Sequence, residues 1–263
     1  MPNAVLYVYA IGRAGHAPPE QVEAVDGSTS ITAIEVDGLA AFYTAVDAAE
    51  FSQPVIDARS KDVEWLGRIG YRHQSVMTAL MRGGTLIPLR AFTLFASETT
   101  LRNHLRGERQ KFSRILERLE GKEEWTLRIE FEPARWSDAL VRRVGRLREL
   151  AGEVERAASG KAFLLRKKLD EEKKRASREA EQQVVAEVEN AVMGTLECDT
   201  VAESRQERSG GFPQINVLIE RDEGTRLAAL RDDLTQRYEK DGVTVALTGP
   251  WPPYTFVGVM SDE

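Results

Sequence analysis

His16, His73 and His104 are the three histidines of the chain, and Cys198 is its one cysteine. These are the side chains best suited to metal ligation or nucleophilic chemistry. They fall in different stretches and lack the spacing of a ligand set, and a zinc site needs three or four convergent donors. Cys198 has no partner for an intramolecular disulfide or a cysteine-rich metal site, and it reads as a small apolar residue. His73 shares the apolar face of a helical pattern and reads as a partly buried structural histidine. Serines and acids are present, but no Gly-x-Ser-x-Gly elbow occurs. Gly12, Gly15 and Gly38 do not form a dinucleotide fingerprint, and no Gly-Lys-Ser/Thr phosphate loop occurs. Gly83-Gly84 precedes a strand pattern, so it has no helix N-terminus to hold a phosphate. The reading is a protein that is not an enzyme, with no cofactor and no metal.

The chemistry that remains is recognition. Thr248 to Val257 interleaves Pro250, Pro252 and Pro253 with Trp251, Tyr254 and Phe256. Proline fixes φ and removes a donor, so this segment is expected to be neither a helix nor a central strand. Trp251, Tyr254 and Phe256 either pack back on the C-terminal sheet or serve as interface anchors. Arg90 interrupts the apolar run Leu86–Phe95. It either points to the wetter face of a strand, as alternation allows, or pairs with an acid of a partner or of the other domain.

These residues need a scaffold, and composition allows one. The chain has 263 residues, enough for two domains. Its net charge of −6 argues against a general nucleic-acid binder. No apolar run is long enough to span a membrane, and the N-terminus has no signal-peptide pattern. The lone cysteine suits a reducing, cytoplasmic setting.

The pattern predicts an α+β chain. A buried strand covers Leu6–Ile11, and a loop follows to Ser30. Runs at Ile31–Val36 and Leu39–Val46 flank Asp37-Gly38, a hairpin signal. A helix is expected over Ala58–Arg82, a strand over Leu86–Phe95, a helix capped near Ser97 over Ser97–Leu119, and a strand over Trp125–Phe131. That order implies an N-terminal ferredoxin-like layer sandwich, 1–132. Glu132-Pro133 marks the expected boundary. The second domain, 133–263, comprises a helical hairpin at about 135–197 and strand-helix-strand at about 213–248, half of a ferredoxin-like layer. The tail 249–257 follows. Trp136, Leu140, Val144, Leu147, Ala151 and Val154 repeat as a helix-pairing seam. Arg166–Glu181 is almost wholly charged, as on a solvated helix or a partner-gripping arm. Ser204–Gly211 reads as a loop.

Three segments resemble one family. The ending Gly249-Pro250-Trp251-Pro252-Pro253-Tyr254-Thr255-Phe256 is similar to the C-terminal signature of the gas vesicle GvpL/GvpF family. Leu86-Ile87-Pro88-Leu89-Arg90-Ala91-Phe92 resembles its Leu-Pro-Leu-Arg-Phe-Gly-like strand, with Ala91 and Thr93 departing from that pattern. Leu6–Ile11 resembles its first strand. The resemblance implies a non-enzymatic accessory or minor component of the gas vesicle, with the hydrophobic major shell protein GvpA as main partner and other accessory proteins as further partners. Arg90, Trp251, Pro252, Pro253, Tyr254 and Phe256 are the candidate partner-binding or structural residues. Two alternatives stand beside it: a scaffold that links accessory proteins through the charged hairpin, and a small-molecule-binding ferredoxin-like protein.

Overall fold

The computed structural model describes residues 4–203 and 211–261. The loop expected at Ser204–Gly211 therefore lies, up to Gly210, outside the described residues. Contacts divide the chain into two compact units, Met1–Glu123 with Pro250–Glu263, and Glu124–Gly249. The boundary read from sequence, at 132/133, sits elsewhere because Trp125–Phe131 pairs with the second sheet.

The first unit runs β1 (Ala4–Arg13), β2 (Thr32–Val36), β3 (Leu39–Asp47), α1 (Ala48–Phe51), α2 (Gln53–Arg59), α3 (Val63–Met81), β4 (Leu86–Pro88), β5 (Leu94–Phe95), α4 (Glu98–Gly107) and α5 (Arg109–Leu119). Its sheet has the order β2-β3-β1-β4, and β5 also pairs with β1. β1 is central and antiparallel to β3, β4 and β5. Leu6–Ile11 is buried throughout, which is why the run reads as unbroken apolar sequence rather than as alternation. Asp37 and Gly38 both take positive φ, 50° and 89°, and pair Val36 with Leu39 across a two-residue turn. α3 is capped by Asp62, whose carboxylate accepts from Trp65 N at 3.0 Å. Its Trp65, Ile69, His73, Val76, Met77 and Leu80 face inward at helical spacing.

Two expectations in this unit are replaced. The strand expected over Leu86–Phe95 is two short pieces with a turn at Arg90–Thr93, where Thr93 N and Oγ1 both donate to Arg90 O. The helix expected over Ser97–Leu119 breaks at Glu108 into α4 and α5. Its start is as expected, with Ser97 and Thr100 forming a capping box.

The second unit runs β6 (Lys122–Phe131), α6 (Pro133–Arg143), α7 (Gly145–Arg156), α8 (Ser159–Thr195), β7 (Asp199–Glu203), β8 (Gln214–Glu220), α9 (Gly224–Tyr238) and β9 (Val243–Trp251). Its sheet has the order β7-β8-β6-β9. Strand-helix-strand was the sequence expectation, and β6 and β7 complete it. Counted in chain order, both sheets place their strands 2-3-1-4, so one arrangement occurs twice in this α+β chain. The seam from Trp136 to Val154 breaks at Val144, whose backbone is extended. α8 has 37 residues and buries Ala162, Val184, Val188 and Val192. Arg166–Glu181 supplies none of its fully buried residues, as a solvated helix requires.

The tail corrects a further expectation. Pro250 and Trp251 end edge strand β9, where a missing donor is tolerated. Helix α10 (Tyr254–Ser261) then begins directly after Pro253. Proline is excluded from a helix interior but suits its start, so the stretch that could not be helical throughout becomes helical as soon as the prolines end.

Candidate functional site

The site builds around α3 and the returning tail, all within the first unit. His73 is 4% exposed, on the inner face of α3. Its Nδ1 lies 3.0 Å from Tyr7 Oη of β1, and its Nε2 lies 2.9 Å from Tyr254 Oη of α10. A neutral imidazole has one donor and one acceptor, so it can satisfy both hydroxyls at once. Burial lowers the His73 pKa to about 4, and the Leu89 backbone offsets only part of that. Burial likewise pushes the Tyr254 hydroxyl up to about 12 and Tyr7 up as well. The three groups are therefore neutral near pH 7 and act as hydrogen-bonding pins.

Aromatic packing extends the cluster. Tyr7 stands 5.1 Å from Tyr9 and 6.1 Å from Phe92, centre to centre. Phe92 has φ 66°, a left-handed conformation costly for a bulky residue, and stacks on Trp65 at 5.3 Å. Tyr9 Oη accepts from Val25 N at 3.2 Å and lies 3.0 Å from Thr44 Oγ1, which donates to Ser30 O. This chain of bonds fastens the long loop after β1 to the sheet.

The candidate residues divide by exposure. Pro252, Pro253 and Phe256 are buried, Tyr254 is half-buried on His73, and Trp251 is 40% exposed. Arg90 is exposed at the Arg90–Thr93 turn and makes no ion pair within the described residues. Leu6–Ile11, Leu86–Phe95 and the tail thus belong to one unit. β1 pairs with β4 and β5, and α10 packs against β4 and α5. The role of Tyr7 and Phe92 was not read from sequence; only the apolar placement of His73 was.

Among the described residues no cluster of three or more His, Cys, Asp or Glu could hold a metal. Cys198 is held in its thiol form by burial and by neighbouring Asp199. In the second unit, a cavity of about 440 Å³ is lined by Trp136, Ser137, Lys173, Ser177 and Glu181, among others. Several of its polar groups bond one another: Trp136 Nε1 donates to Ser177 Oγ at 3.0 Å, Ser177 Oγ to Glu181, and Lys173 to Ser137. Among the described residues no helix is long and apolar enough to cross a membrane.

Comparison with known proteins agrees with this geometry. The chain is 27% identical over 263 residues to gas vesicle protein L of Streptomyces sp. (strain CB03234), covering 98% of this chain and 94% of that one. It is 29% identical over 211 residues to gas vesicle protein L1 of Halobacterium salinarum, covering 75% of this chain and 73% of that one. The fold is similar to the crystal structure of gas vesicle protein GvpF from Anabaena sp. PCC7120, with a TM-score of 0.67 at 13% identity, covering 97% and 96% of the two chains. Residues 5–258 match the gas vesicle synthesis protein GvpL/GvpF family, and with the first strand, the Leu86–Phe95 segment and the aromatic tail gathered in one unit, the chain belongs to that family of proteins involved in gas vesicle formation.

Proposed function

We propose that this protein is a non-enzymatic assembly factor that binds the hydrophobic shell subunit in the cytoplasm and supports its incorporation into the vesicle. A gas-filled shell needs an apolar inner surface, so its subunits carry exposed apolar area before assembly and are prone to aggregate. The observation that carries the reading is the split within the tail. Pro252, Pro253 and Phe256 are buried, while Trp251 stays 40% exposed on the same proline-stiffened segment, beside exposed Pro250. A preordered aromatic anchor loses little entropy on binding. Arg90, exposed on its turn, supplies a cation within the same unit.

Strand addition is the weaker route to a partner. Arg102 and Arg109 donate to the Glu35 and Asp37 carbonyls beside β2, and Thr235 Oγ1 engages Val245 N and O of β9. The L-type names of the curated relatives favour an L-type role.

The test is co-expression with the major shell protein followed by pull-down, using wild type, Trp251→Ala and Arg90→Ala. Retention of the shell protein by wild type, weakened about tenfold or more by Trp251→Ala in a folded chain, is expected for an anchor of this size. Failure of folded wild type to retain it would sink the reading and leave the scaffold alternative, with accessory proteins as the next baits.

A further inference from the structure

The connection from α7 to α8 carries a surface that differs from the rest of the second unit. Phe163 and Leu164 are 68% and 67% exposed. Lys161, Arg166, Lys167 and Lys168 are exposed around them, and Ser159–Leu169 contains no carboxylate. None of these four cations has an ion-pair partner among the described residues. Further along α8 the carboxylates begin with Asp170 and Glu171, and some charges are paired: Glu172 accepts from Arg146 at 2.6 Å, and Glu179 pairs with Arg175. Phe163 with Lys167, and Leu164 with Lys168, stand four residues apart and share a face. The helix start adds to the positive potential, because its N-cap, Ala158, offers no side-chain acceptor to the first N–H groups. In a chain of net charge −6, this is a local concentration of positive charge around two uncovered apolar side chains.

We infer that the start of α8 is a docking surface for an acidic amphipathic protein segment, whose carboxylates meet Lys161, Arg166, Lys167 and Lys168 while its apolar side chains cover Phe163 and Leu164. Charge complementarity selects the occupant, and the apolar pair is too narrow for the broad insertion face of a membrane-lying helix. The surface belongs to a different unit from Arg90 and Trp251, so it stands or falls apart from shell-subunit binding.

The test uses the full chain and a labelled synthetic helical peptide with leucines on one face and glutamates on the other. Saturable binding that weakens as salt rises is expected, because exposed charge attraction is screened. Joint Lys161→Gln, Arg166→Gln, Lys167→Gln and Lys168→Gln should remove the salt dependence and most of the affinity. Joint Phe163→Ser and Leu164→Ser should cost roughly tenfold or more at high salt, where burial dominates. All six residues are exposed, so the variants should keep the wild-type circular dichroism. Joint Gln182→Ser and Gln183→Ser, on an exposed stretch of the same helix, should bind as wild type. Absence of peptide binding, or binding indifferent to both α8 variants, overturns the proposal. So does equal binding of a lysine-for-glutamate peptide. Stronger, patch-dependent binding to phosphatidylglycerol vesicles would assign the surface to lipid, and patch-dependent sedimentation as a dimer would assign it to a second copy.

Discussion

Burial holds His73 neutral, with Tyr7 and Tyr254 at its two nitrogens and Tyr9 5.6 Å from its ring. Its folded pKa of about 4 lies below the ordinary value of 6.5. The unfolded chain therefore takes up a proton first as pH falls. Stability from this site is complete above pH 6.5 and declines between 6.5 and about 4, by about 3 kcal/mol over that window. His16, also lowered by burial, adds in the same direction. Denaturant unfolding at a series of pH values should show this slope in wild type and a flatter one in His73→Gln; equal slopes would remove His73 as its source. Tyr254→Phe should cost about 1 kcal/mol at pH 7, the net worth of one buried hydrogen bond. The apolar placement of His73 was legible from helical spacing. Tyr254, 181 residues away, was not, because the contact is made only when the tail folds back.

At the scale of elements, local rules work where neighbours in sequence decide the conformation. The capping box at Ser97 and the Asp37-Gly38 hairpin are of this kind. Ser97→Ala should destabilise the protein by about 1 kcal/mol, read as a lower denaturation midpoint with unchanged slope. Gly242 turns α9 into β9 at φ 73°, and a Cβ there would meet the Arg135 side chain. Gly242→Ala should therefore cost about 2–3 kcal/mol, more than Ser97→Ala, in the same assay. The continuous strand expected at Leu86–Phe95 failed for the opposite reason. Phe92 adopts a positive φ because Trp65 and Tyr7 hold its ring, and neither lies nearby in sequence.

For the whole molecule, the tail is the test. Pro252, Pro253 and Phe256 bury their side chains, and Tyr254 bonds His73, all in the first unit. Ending the chain at Gly249 should leave α3, β4 and α5 with uncovered apolar surface. Hydrogen exchange should then speed up in those elements and stay unchanged in β7 and β8 of the second unit. Uniform acceleration throughout the chain, or none in α3, would contradict this account of the tail.

Composition and short-range pattern were enough for the α+β class, the hairpin, the solvated long helix and the family resemblance, since each depends on periodicity or on a few adjacent residues. Tertiary structure decided which sheet each strand joins. β6 alternates just as an edge strand of the first sheet would, and only its partners place it in the second. The same holds for the tail: its prolines limit the backbone locally, but the burial of Phe256 and the bond to His73 depend on surfaces assembled from β1, α3 and β4. Sequence sets what a segment can become; the apolar area and hydrogen-bond partners left open by the rest of the chain set where it goes.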